Sequence, residues 1–271
     1  MESLGLSEFL KSVGNSVHSL NTICVGLHGV ETRIYTKPDD LTVSWDPQDP
    51  CWSARKSRAF AINAAIVFVE EALMQYVRYL AKHPAAPDTL KQTTKIDGGA
   101  ERLEYIYTHH KPEKEYWGPF VSLLIHWRNR IVHPASNAKL NSAQENKILK
   151  NSLEIKNSHA QIDVEETLKH FHERSITLKD ASTLIAITIR FARHLDSSLQ
   201  LDSAEYEKIP YWLKHLNLED QYEMICKSNG MEEKARRMRQ FLKTHLPFIN
   251  EEIATQLIEN PLTIQNKGVS T

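Results

Sequence analysis

One stretch constrains this chain more than any other: Tyr116 to Pro134, YWGPFVSLLIHWRNRIVHP. At about 100° per residue, Trp117, Phe120, Val121, Leu124, Trp127 and Ile131 fall on one apolar stripe. The spacing predicts a helix over 117–132 whose stripe must be covered by other helices. Proline pushes the residue before it out of the α region, so the helix should end near Val132, with His133 at its exit. Arg128 falls in the middle of the stripe. An unpaired guanidinium is costly to bury, so Arg128 needs a partner, a ligand or an opening to solvent. Asn129 follows at the stripe's border.

A second stripe supplies a candidate partner. Ala59, Ile62, Ile66, Val69, Leu73, Val77 and Leu80 line one face of a helix expected from Ala54 to about Lys82, capped by Ser53 and ended by His83-Pro84. Glu70 lies within that stripe. Two opposite charges in two apolar stripes invite a pair, Glu70 with Arg128. Either Glu70 orients a working arginine, or the two form a plain buried salt bridge.

The end of the 117–132 helix carries chemistry. A helix C-terminus has partial negative charge, which favours a protonated imidazole. A cation beside a histidine suits a phosphodiester: the arginine polarises the phosphate and the histidine moves protons. The plainer reading is an Arg and a His that close a helix against nearby carbonyls.

The run Arg128-Asn129-Arg130-Ile131-Val132-His133 resembles the signature of HEPN domains: Arg, four to six residues, then His, with a polar residue such as Asn after the Arg. The bare pattern recurs at Arg78–His83 and Arg102–His109. There Tyr79 and Leu103 replace the polar residue, and only Arg128 sits in mid-stripe. The resemblance covers roughly residues 51–200. It implies a helical bundle, a homodimer, and a metal-independent endoribonuclease with no cofactor. Arg128, Asn129 and His133 would be its catalytic residues, with Glu70 in support. It also implies a toxin or anti-phage defence effector with RNA as substrate and an antitoxin or defence-system protein as partner. Some members carry a modifiable Tyr shortly after the His; here Pro134-Ala135-Ser136 follows. The alternative is a catalytically inactive HEPN-like module that binds a nucleotide, RNA or a protein.

The rest of the chain sets the frame. A mainly α protein is expected, with three parts: 1–50, an extension with a small β-hairpin; 51–200, the bundle; 201–271, a helical appendage. The extension begins with a short helix over 3–21. Its hairpin rests on alternating, β-prone segments 32–36 and 41–45 around the turn Lys37-Pro38-Asp39-Asp40. A helix is expected near 100–108. Residues 141–160 read as a polar, partly helical insertion. Asp163 should cap a short helix. Thr177 and Asp180 should form a capping box before a long helix striped by Ala181, Leu184, Ile185, Thr188, Phe191, Ala192 and Leu195. Short helices follow over 204–216, 218–228 and 231–244, then one capped by Asn250, with a frayed tail.

A formal net charge of -1 gives no global nucleic-acid signature, so any RNA contact must be local. Arg130 is one candidate. Arg236, Arg237 and Arg239 are others, on a run of five cations that could hold a phosphate backbone but reads more readily as a solvated face. So does the patch Arg55, Lys56 and Arg58. Three distant cysteines argue against a disulfide framework and for a reducing cytoplasm. Thirteen histidines without HExxH or paired-cysteine spacing predict no metal. The longest apolar run, about 59–69, is too short to span a bilayer.

Overall fold

Helices carry about three quarters of the residues that the computed structural model describes, 2–82, 86–197 and 203–262. The described residues fall into two units that interleave along the sequence. One takes residues 9–74 and 97–192, and the other 1–8, 75–96 and 193–271. Cuts at 50 and 200 therefore do not separate them.

The unit bearing the motif is built on α5, Trp117–Val132. Its first nine residues, from Trp117 to Ile125, are buried on every side, as is Trp127. The stripe understated this, because α4 (Gly99–His109) and α6 (Ser142–Lys150) both pack on α5. Gly118 permits the closest approach. A Cβ there would stand 2.5 Å from the Tyr107 ring of α4. Burial then falls away: Arg128 to Ile131 are half-buried, and Val132 and His133 are exposed.

α2 runs Pro50–Lys82, and Ile62, Ile66, Val69 and Leu73 are buried, whereas Ala59 is exposed. Its N-cap is Asp49 rather than Ser53: Asp49 Oδ1 accepts from the N–H groups of Cys51 and Trp52 at 2.9 and 3.1 Å. Pro50 opens the helix, where a missing N–H costs nothing. The His83-Pro84 stop lies outside the described residues. α9, Leu178–Ser197, supplies the third stripe, buried from Ala181 to Leu195. Its capping box is present, with Thr177 N–H donating to Asp180 Oδ2 and Asp180 N–H to Thr177 Oγ1. Asp163 caps α8, Val164–Glu173.

Two expectations need correction. No strand forms at 32–36 or 41–45. Instead α1 runs Leu4–Glu31, past the expected end at 21, and residues 32–49 follow as an exposed connection. Only the turn survives, with Leu41 N–H bonded to Pro38 O at 3.2 Å. Ile34 is 72% exposed and Tyr35 55%, so the segment has no apolar layer to lie on, and a lone hairpin is marginal. Residues 141–160, read as a polar insertion, are mostly exposed but anchored in the core by a few buried side chains. Asn141 and Gln144 form a capping box, and Ile148 and Ile155 of α6 and α7 (Ser152–Ser158) are fully buried.

The other unit gathers short helices around Trp212, Tyr222, Phe241 and Leu257: α10 (Ile209–His215), α11 (Glu219–Cys226), α12 (Met231–His245) and α13 (Glu251–Glu259), the last capped by Asn250. The short α3, Asp88–Gln92, belongs to it as well. The start of the chain is stitched in. Leu4 N–H bonds Ile249 O at 2.9 Å, and buried Asp196 accepts from Ser3 N and from the hydroxyls of Ser3 and Tyr76. The tail, 263–271, lies outside the described residues.

Candidate functional site

α2 and α5 bring Glu70 and Arg128 together. Arg128 Nε lies 3.2 Å from Glu70 Oε2, with the glutamate side chain 6% and the arginine 27% exposed. The contact is one of charge rather than a well-aligned hydrogen bond, since the Nε–H does not aim along it. The same carboxylate lies beside the start of α4: its Oε1 is 3.5 Å from where a Cβ on Gly99 would stand. Helix N-termini favour negative charge, so α4 steadies the anion that Arg128 faces. Arg128 Nη1 donates to Asn129 Oδ1 at 3.3 Å. Arg128 and Asn129 thus form one polar group at the edge of the core.

His133 is the C-cap of α5, with φ -122° and ψ 89°, and its N–H donates to Asn129 O at 2.9 Å. Its ring is exposed. The backbone beyond it is pinned: Ser136 N–H bonds His133 O at 2.7 Å. Two arginines hold the same turn. Arg174 donates to Pro134 O at 2.6 Å and to Ser136 O at 3.0 Å. Arg130 donates to Ala138 O at 2.7 Å and to Phe171 O at 2.6 Å, with its guanidinium over the Phe171 ring. Arg130 is therefore a brace between α5, the turn and α8. No sequence pattern marks Arg174. It caps α8 in the left-handed region at φ 57°, where no propensity places an arginine.

Two further histidines bear on α5, His126 within it and His159 against its start, and no sequence pattern marks them. His126 faces the same side as Arg130, and its Nδ1 is buried without a partner. Burial lowers its pKa; Glu101 opposes that shift and Arg130 adds to it. His159, 4% exposed, sits between Arg190 and Tyr116, whose hydroxyl is 3.3 Å from Nε2. Burial first, and Arg190 second, bring its pKa down to about 4, so it is neutral at pH 7.

The rival motifs are arranged differently. His109 turns back on its own helix, Nδ1 2.8 Å from Tyr105 O. His83 is outside the described residues. Arg236, Arg237 and Arg239 lie on α12, in the other unit. Arg236 grips Glu233 at 2.7 Å, Arg237 donates to Ser228 at 3.0 Å, and Arg239 lies 3.8 Å from Glu251. Arg55 and Arg58 both bind Glu31, holding its carboxyl down at about pKa 2. Lys56 lies over the Trp52 ring. No group of three metal-ligating side chains occurs among the described residues.

Searches against protein-family models, curated proteins and solved structures find no match to this chain.

Proposed function

We propose that the chain is a metal-independent endoribonuclease of HEPN type, acting on cytoplasmic RNA as a toxin or anti-phage defence effector. The observation that carries this reading is the last turn of α5. There a half-exposed arginine is anchored by a buried carboxylate, next to an asparagine and one turn before an exposed histidine on a braced backbone. Arg128 draws in a phosphate and stabilises the charge that builds on it in the transition state, often the largest catalytic contribution. Asn129 fixes the direction of the guanidinium. The ribose 2′-hydroxyl attacks the adjacent phosphorus, the bond to the 5′-oxygen breaks, and His133 moves the proton. The products are a 2′,3′-cyclic phosphate and a 5′-hydroxyl.

The salt bridge also favours a second reading. Glu70 already offsets the Arg128 charge, which suits a module that binds a nucleotide, RNA or protein without cleaving it. One experiment separates the two. Purified protein is incubated with total RNA in EDTA, beside an Arg128→Ala/His133→Ala double variant. Cleavage by wild type alone, sparing a substrate with 2′-deoxyribose at the cut site, supports the enzyme. Retained binding with no cleavage by either protein supports the module. Equal cleavage by both rejects the site.

A further inference from the structure

The motif-bearing unit has a second unusual surface, along α1 and α2. Phe60 is 75% exposed, Phe68 66% and Ile23 45%. Beside them runs a groove of about 430 Å³ whose walls include Ser16, Ser19, Ile23, Ala61 and Ala64. None of the residues lining it carries a charge. Large apolar patches of this kind mark places where a protein meets something.

We infer that this face is a self-association interface, in which a second copy lays its α2 antiparallel across the first near Ala64. Three observations favour a second copy. First, the face holds both knobs and holes. Phe60 and Phe68 lie four residues on either side of Ala64, so a two-fold axis there exchanges them. Each phenyl then meets the small-residue groove of the other chain, the self-complementarity that a two-fold interface requires. Second, the ends of the stripe have opposite charge: Lys56 precedes it and Glu71 follows it. Antiparallel packing brings Lys56 of each chain opposite Glu71 of the other. Third, the size suits. From Trp52 to Glu71 is about 30 Å of helix at ~1.5 Å per residue. Two helices side by side are ~20 Å wide. The flat area is thus roughly 600 Å², and a corrugated surface of that size comes near the ~800 Å² per partner of a standard interface.

Other occupants fit less well. RNA would meet an uncharged groove. The helix Pro50–Lys82 is long and apolar enough to cross a bilayer by length and composition, but 56% of its most apolar stretch is buried inside the protein. Charges of both signs at the stripe's ends also differ from the cationic edge that lipid headgroups favour.

The test is the mass of the full chain in solution at micromolar concentrations, by light scattering and sedimentation. Wild type should have twice the 31.1 kDa of one chain. Phe60→Glu and Phe68→Glu should each give a monomer with unchanged helical circular dichroism, since both side chains are already exposed. Lys56→Glu should weaken the dimer at least tenfold, and Lys56→Glu/Glu71→Lys should restore it. Ala64→Cys should form a disulfide-linked dimer under mild oxidation beyond anything wild type gives, because the axis passes beside it. A wild-type monomer overturns the inference, and so does a dimer that survives both Phe→Glu changes. A monomer that sediments with phosphatidylcholine or phosphatidylglycerol vesicles identifies a bilayer as the occupant and also overturns it. The interface does not depend on RNA cleavage, so either proposal can fail while the other stands.

Discussion

Removing either member of the Glu70–Arg128 pair should destabilise the protein, and by unequal amounts. Breaking a buried ion pair by deleting one partner costs about 3–5 kcal/mol, because the charge left behind is uncompensated. Arg128→Met takes the cation from Glu70, 6% exposed, and leaves it beside the start of α4 with little water. Its cost should lie within that range. Glu70→Gln leaves Arg128, 27% exposed, whose flexible side chain can swing its guanidinium outward. About 1–2 kcal/mol is expected there, once the exposure of the arginine is discounted. At roughly 2–4 °C per kcal/mol for a chain of this size, Arg128→Met should melt some 6–20 °C lower and Glu70→Gln about 2–8 °C lower. The double variant should be no worse than Arg128→Met alone, and better if the buried charge is the problem. pH supplies a second check. A buried carboxylate without its cation takes up a proton in the folded state more readily than in the unfolded one. The folded state then binds more protons, so stability falls as pH rises from about 4.3, the unfolded value. The Arg128→Met deficit should therefore be smallest near that pH and complete at neutrality. Urea unfolding of the four proteins across pH measures all of this. Equal losses for the two single variants, independent of pH, would refute the buried-charge argument.

Other outcomes follow from the same geometry. Gly118→Ala sets a methyl group against the Tyr107 ring and should cost roughly 1–3 kcal/mol by overpacking, read as a lower melting temperature. His159 should titrate at about 4 by NMR. Its folded pKa lies below the unfolded value near 6.5, so the stability linked to neutral His159 is complete above about 6.5 and is lost as pH falls towards 4. A His159→Gln variant should flatten that part of the stability profile. Arg130→Ala gives up two carbonyl bonds and should lower stability by about 2 kcal/mol. Arg174→Ala should leave the melting temperature within ~2 °C yet lower any RNA cleavage several-fold, because it loosens only the turn behind His133.

The long helices α2 and α9 were legible because their apolar residues recur at helical spacing. Ile62 to Leu80 and Ala181 to Leu195 were read from sequence and are buried. The Glu70–Arg128 contact could be anticipated because two charges interrupt two stripes. The hairpin could not be judged, since strand propensity measures fit to a packed surface and Ile34 and Val43 have none. The 141–160 segment hid its anchors, because nothing local distinguishes buried Ile148 and Ile155 from the exposed Leu149 and Leu153 between them. Gln144 is buried yet polar because it donates to Tyr107 Oη at 2.8 Å, a partner thirty-seven positions away. The same distance effect hid Arg174, whose role lies in carbonyls forty residues upstream.

The stitching of the chain's first residues has a consequence in time. Ser3 finds Asp196 across 193 positions, and Glu8 finds Lys243 across 235. At about 5–20 residues synthesised per second, Glu8 waits roughly 12–50 s for its partner to be made. Closing so long a loop adds little free energy but much delay, because entropy is lost before the contact forms. In the meantime Leu4, buried at the end, lacks the cluster of residues 209–258 that it enters. The segment around Ser3 and Glu8 is therefore among the last parts of its unit to fold.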